Sequence, residues 1–232
     1  MRNIKNDIFP GDFDYQKSLK KSPDTLLNKF VRVERYINRP LASLIVRAVF
    51  NTRVTPNGLT YFSFFLGLLA AFFFSRGEYL YFILGGIFIQ FSSIVDCADG
   101  MLARSKDMCS EYGSHLDLFL DRIIDFAAIV TISVGISTAF NNKSLLILGL
   151  FTAGLNLLSV NLFYIANSYL QKTEKGRTGE ARALMLLLML IFSIANRLDI
   201  LIYLLLVERG VANLVHLVYF ITLGRKKNEN EN

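Results

Sequence analysis

At 232 residues the chain has room for one compact domain and is short for two. Hydrophobic residues make up 53% of it, charged residues only 19%, and mean hydropathy is +0.40. This excludes an ordinary soluble domain, where about 25% of residues are charged, and the apolar runs make lipid rather than nucleic acid the expected partner of the +6 net charge. Two cysteines, Cys97 and Cys109, are too few for a disulfide framework and lack zinc-site spacing.

In chain order, residues 1–21 read as a polar cytoplasmic tail without a cleavable apolar core. Ser22-Pro23-Asp24 then combines a capping hydroxyl, a proline suited to the first helical position and an acid at the positive helix end. Residues 22–53 are expected to form an amphipathic interfacial helix. Leu26, Leu27, Phe30, Val31, Leu41, Leu44, Ile45 and Val49 recur at helical spacing, and Lys29, Arg32, Arg35, Arg39, Arg47 and Arg53 populate the rest. Pro40 is expected to divide that helix in two.

Six transmembrane spans are predicted at about 59–76, 79–98, 114–140, 144–169, 181–197 and 199–223, judged against the roughly 20 apolar residues a bilayer core requires. Six is even, so both termini share a side. The segments joining the spans on that side, with the N-terminal region and Gly224-Arg225-Lys226-Lys227, hold nearly all the Lys and Arg. The opposite turns hold only Arg76, Lys143 and Arg197. The positive-inside rule therefore places both termini in the cytoplasm. The expected fold class is an all-α integral membrane protein, with a six-helix transmembrane domain over 54–224 and a cytoplasmic tail over 225–232.

Between the second and third spans stands Asp96-Cys97-Ala98-Asp99-Gly100-Met101-Leu102-Ala103-Arg104, followed by Gly113, Asp117 and Asp121. Intramembrane acids are costly and default to function. Asp96 and Asp99 are i,i+3 neighbours and Asp117 and Asp121 i,i+4 neighbours, so each pair lies on one helix face. Consecutive antiparallel helices can bring the pairs together in a cleft open to the cytoplasm. Such carboxylates cannot all stay ionised without cations, and hard oxygen donors suit Mg²⁺, Mn²⁺ or Ca²⁺. Gly100 and Ala103 keep one helix face low, Gly113 permits close approach, and Arg104 offers a phosphate a fork of donors.

The pattern D-x2-D-G-x2-A-R-x8-G-x3-D-x3-D, with all eight identities in place, resembles the motif of the CDP-alcohol phosphotransferases. The resemblance implies six transmembrane helices behind an interfacial helix, and a membrane enzyme of phospholipid biosynthesis. Such an enzyme moves a substituted phosphate from a CDP-alcohol to an acceptor alcohol and releases CMP. It implies two metal ions, Mg²⁺ or Mn²⁺, on Asp96, Asp99, Asp117 and Asp121, with Asp121 also the general base. It implies a CDP-donor site at Asp99, Gly100, Ala103, Arg104, Ser110 and Gly113, with Asn57 and Thr60 reaching in from the first span. Asn57 and Thr60 fall in Thr55-Pro56-Asn57-Gly58-Leu59-Thr60, similar to a Pro-Asn-x-x-Thr element of the family. A homodimer is also implied. Asn38-Arg39-Pro40-Leu41-Ala42-Ser43, Asp121-Arg122-Ile123-Ile124-Asp125-Phe126 and Glu180-Ala181-Arg182 resemble the branch that handles inositol phosphates.

The acceptor is expected to meet Arg182, where the fifth span begins, since the motif itself supplies one Arg for the donor and none for an acceptor phosphate. The rest of the 171–182 loop reads as positive-inside anchors. Glu208-Arg209 reads as an internal ion pair or an acceptor contact. Asp125 is expected to pair with Arg122 or with a base from another span, the alternative being to help orient the acceptor. His115, His216 and the Phe72-Phe73-Phe74 run read as structural. The competing reading of the acids is a divalent-cation transporter or an inactive scaffold; a transporter usually places its acids near the midplane of interrupted helices, unlike these.

Overall fold

The computed structural model describes residues 33–169 and 177–231. The tail 1–21, the Ser22-Pro23-Asp24 start and the loop residues 170–176 lie outside them. Helical backbone is in place at Val33, passes through a π-helical turn, Glu34–Asn38, and continues as α1, Arg39–Val49. Then come α2 (Pro56–Phe74), α3 (Tyr79–Ser105), α4 (Glu111–Ala139), α5 (Lys143–Tyr169), α6 (Arg177–Ile194) and α7 (Leu198–Glu231). Among the described residues there is no strand.

Pro40 does not divide the first helix. It sits in the first turn of α1, and the wider π turn just before it, closed by Arg39 N–H donating to Glu34 O, absorbs the interruption a proline ring would otherwise cause. Arg39 is not on a solvated face either. It is only 6% exposed and grips Glu34 Oε1 through Nε (3.0 Å) and Nη2 (2.7 Å). The face of α1 turned to the protein is the small one, Ala42, Ser43 and Val46, while Leu41 and Leu44 face outward.

Helix ends follow local chemistry. Thr55 caps α2 by accepting from Gly58 N–H at 3.2 Å with Pro56 as the first helical residue, and Ser110 caps α4 by accepting from Gly113 N–H at 3.0 Å. Among the described residues three helices close with a residue in the left-handed region, Asp107 (φ 54°), Asn141 (φ 48°) and Asn196 (φ 53°). The next N–H donates five residues back in each case: Met108 to Ala103 O, Asn142 to Ser137 O and Arg197 to Phe192 O. Asn and Asp tolerate this conformation better than other side chains. Gly77 (φ 75°) makes the α2–α3 turn, where a Cβ would stand 2.9 Å from Gly135 O.

The α3 helix runs seven residues past the predicted end of its span, so only residues 106–110 link it to α4. Helix α7 likewise continues through the stretch expected to be a tail. Helices α2 and α6 pack on α3, α4 packs on α2, α1 lies along α3, and α5 and α7 complete the bundle against α4. One buried cluster joins Phe74, Ile89, Ile124, Ile129, Ile132, Ile136, Leu186 and Met189 with the start of α7. A second joins Ala42 and Val46 of α1 to Leu59, Leu66, Val95, Ala98, Met101 and Leu102. That second cluster backs the acidic stretch of α3.

Among the described residues four helices are long and apolar enough to cross a membrane: Pro56–Phe74, Tyr79–Ser105, Lys143–Leu162 and Leu198–Thr222; Ala181–Ile194 is a shorter apolar helix. The protein is integral to the membrane. Of the two remaining predicted spans, α4 is long enough at 29 residues but carries Asp117, Asp121, Arg122 and Asp125 in one half. The apolar part of α6 is short.

Candidate active site

Because α3 stays helical through Ser105, Asp96 and Asp99 project from it one turn apart, and the Ser110 cap starts α4 soon enough to set Asp117 opposite them. One carboxylate oxygen each from Asp96, Asp99 and Asp117 lies within 4.8 Å of the others, the group best arranged to hold a cation among the described residues. Thr60 Oγ1 donates to Asp99 Oδ2 at 2.5 Å and is itself buried. Asp96 Oδ1 and Asp117 Oδ1 are buried without a hydrogen-bond partner. A buried acceptor left unpaired costs about 1–3 kcal/mol, more if charged. Two such atoms beside a third carboxylate fit a hard divalent cation.

Asp121 stands apart from this trio. Its Oδ1 pairs with Arg182 Nη2 at 2.8 Å. The same guanidinium donates from Nε to Asp125 Oδ1 (2.9 Å) and from Nη1 to Asp96 Oδ2 (3.3 Å). Asp125 Oδ2 in turn accepts from Arg122 Nη1 at 3.2 Å. Asp125, 1% exposed, thus pairs both within its own helix and with another. Arg182 does point back from α6 into the acid cluster, where it holds one oxygen from each of three aspartates.

The other predicted contacts fall around this centre. A Cβ on Gly113 would stand 3.0 Å from both Asn57 Oδ1 and Ser110 Oγ, so Asn57 and the α4 cap meet over the missing side chain. A Cβ on Gly100 would stand 3.1 Å from Arg104 Nη1, so this glycine leaves room for the Arg104 guanidinium to fold along α3. Ala103 is half-buried, and its carbonyl closes the end of α3. Arg209 Nε lies 2.9 Å from Glu208 Oε2, and Nη2 approaches Met185 Sδ at 3.9 Å, one turn along α6 from Arg182. His115 is exposed near Glu111, and Cys97 and Cys109 are free thiols.

Two features escaped the sequence reading. Asn38 of the π turn donates to Ser93 Oγ and accepts from Gln90 Nε2, both at 2.9 Å, fastening the N-terminal helix to α3 one turn before Asp96. Lys106 Nζ donates to Thr52 O (3.2 Å) and Val54 O (3.3 Å) over the Phe50 ring, tying the α1–α2 connection to the end of α3. Buried Asn and Gln in apolar helices could have flagged the first pair. Nothing local marks the second, because a lysine after a span reads as an anchor.

Comparison with known proteins gives a consistent picture. A family model described as CDP-alcohol phosphatidyltransferase matches residues 53–222. Over 129 residues, 53% of this chain, the sequence is 33% identical to the bifunctional IPC transferase and DIPP synthase of Archaeoglobus fulgidus, covering 25% of that protein. Over 105 residues, 45% of this chain, it is 30% identical to the archaetidylinositol phosphate synthase of Pyrococcus horikoshii, covering 53% of it. The inner membrane protein YnjF of Escherichia coli is 35% identical over 83 residues, 36% of this chain and 38% of that protein. The matched region thus spans about a quarter to a half of the length of these relatives.

Proposed function

Since the chain belongs to the CDP-alcohol phosphatidyltransferase family, we propose that it transfers a substituted phosphate group from a CDP-alcohol donor to an acceptor alcohol, with release of CMP, in membrane lipid synthesis. The observation that carries this reading is the Asp96, Asp99 and Asp117 trio, two of whose buried oxygens lack partners, inside the complete motif. Asp96, Asp99, Asp117 and Asp121 would hold two divalent ions, Mg²⁺ or Mn²⁺. When bound, they would supply positive charge that stabilises the phosphate oxygens of the transfer.

The chain's own residues have the following parts. Thr60 fixes the orientation of Asp99. Asn57, Gly100, Ala103, Arg104, Ser110 and Gly113 line the donor side, with Arg104 offering N–H groups to a donor phosphate. Asp121 takes the proton of the acceptor hydroxyl as that oxygen attacks phosphorus and the bond to CMP breaks, a task requiring a carboxylate oxygen within hydrogen-bond reach. Arg182, with Arg209 one turn deeper, serves a phosphorylated acceptor. Three of the five Arg182 N–H groups face aspartates, and the other two remain for a phosphate. Because one of the relatives is named an archaetidylinositol phosphate synthase, an inositol phosphate is the first acceptor to test.

The finer architecture belongs to the same proposal. The 54–224 catalytic domain has six spans, counting α4 and α6, with the described part of 22–53 lying along the headgroups through exposed Leu41 and Leu44. The Lys and Arg distribution supports cytoplasmic termini and a cytoplasmic mouth. The protein works as a homodimer, which cross-linking in native membranes tests. The deciding assay incubates purified protein with CDP-diacylglycerol-like and CDP-polar-alcohol donors, against inositol phosphate, glycerol phosphate and serine, and follows CMP. Metal-dependent CMP release with one donor–acceptor pair is the expected result. No CMP from any pair, with Mn²⁺ bound, would return the transporter or scaffold reading.

A further inference from the structure

The acid cluster holds one internal cation at a place where a metal would also bind. Asp96 is divided: Oδ2 accepts from Arg182, and Oδ1 is buried without a partner. Asp117 Oδ1 is unpartnered as well. A first ion at the Asp96, Asp99 and Asp117 trio therefore displaces no side chain. Asp121 is gripped more closely: its Oδ1 lies 2.8 Å from Arg182 Nη2, against 3.3 Å from Nη1 to Asp96 Oδ2, in a site where that arginine is only 10% exposed. Within this network five carboxyl groups, Asp96, Asp99, Asp117, Asp121 and Asp125, face two guanidinium groups, Arg122 and Arg182. Among the described residues acid therefore remains in excess for a second ion, but Arg182 already holds one oxygen of the carboxylate that ion needs.

We infer that Arg182 is a resident counter-cation for Asp121, so that the two metal positions are unequal and the second fills in competition with the Arg182–Asp121 pair. This rests on the metal reading proposed above and deepens it. Like charges a few ångströms apart in a poorly solvated site repel strongly, so a second cation at Asp121 requires the Nη2 edge of Arg182 to draw back. Nε remains anchored on Asp125, itself held by Arg122, which allows that edge to turn without the side chain leaving the site. An edge released from Asp121 is then available to an anion. Occupation of the second metal position and readiness of Arg182 for an acceptor phosphate become one coupled event.

The test uses full-length protein in detergent, stripped of metal, with Mn²⁺ alone as the probe and free Mn²⁺ read by electron paramagnetic resonance. Wild-type protein is expected to bind one ion tightly and a second at least about tenfold more weakly. In Arg182→Gln the second affinity rises at least about tenfold while the first changes little. Arg182→Lys keeps a positive charge for the fold but cannot fork across three acids, and gives a smaller rise. A second affinity unchanged or lowered in both variants, or saturation of wild type and Arg182→Gln by a single ion, overturns the inference. No Mn²⁺ binding by the wild type overturns the metal reading itself, so the two failures are distinguishable.

Discussion

The acids of one cleft are satisfied in two different ways. Asp96 and Asp117 each keep a buried oxygen without a partner, whereas Asp121 and Asp125 have oxygens held by arginines of α4 and α6. A bilayer span offers little water to make up the difference, so an unpaired carboxylate oxygen there marks a place for a cation. A paired one marks a joint between helices. The two halves meet at Asp96, which belongs to both, and the same residue type therefore has separate consequences on substitution.

The largest expected effect lies at the Asp96, Asp99 and Asp117 trio. Asp99→Asn or Asp117→Asn should lower CMP release at least about 100-fold, as should EDTA, with Mg²⁺ or Mn²⁺ restoring only the EDTA-treated wild type. The same substitutions should raise the Tm of metal-free protein, because they remove a like charge from a crowded site. A drop in Tm in EDTA would show that these acids are structural.

On the paired side, Asp125→Ala should destabilise the fold by about 3–5 kcal/mol, as it removes the carboxylate shared by Arg122 and Arg182 and leaves Arg182 only Asp121 and Asp96. Thermal unfolding with and without Mn²⁺ measures this, and an unchanged Tm would mean that Arg122 and Arg182 find other partners. Asp121→Asn sits on the boundary. It should bind the CDP donor within a few-fold of wild type yet lose turnover, since an amide cannot accept the proton, and a near-normal kcat would remove Asp121 as base. Gly113→Ala should have the smallest effect, costing about 1 kcal/mol and raising donor KM a few-fold. Its Cβ would crowd Asn57 and the Ser110 cap at 3.0 Å, and an unchanged KM would place the donor elsewhere.

Much of this was legible in the chain. Apolar runs, the spacing of four aspartates and the Thr55 and Ser110 caps are local patterns, and local patterns govern helix starts, helix faces and which acids are neighbours on one helix. The π turn before Pro40 and the αL ends at Asp107, Asn141 and Asn196 are local too, yet hydropathy does not reveal them, so the first helix and the length of α3 were misjudged. Which carboxylates share a partner is a different kind of fact. Arg39 reads as part of the basic face of an interfacial helix and is buried on Glu34; Thr60, expected to reach the donor, also hydrogen-bonds Asp99. Arg182 is 57 residues from Asp125 and 86 from Asp96 in the chain, and their meeting depends on how α6 packs against α3. By itself the sequence determined the set of charged groups that must be compensated inside a bilayer. Only the tertiary structure decided the pairing, because compensation acts over a few ångströms and sequence separation carries no such distance.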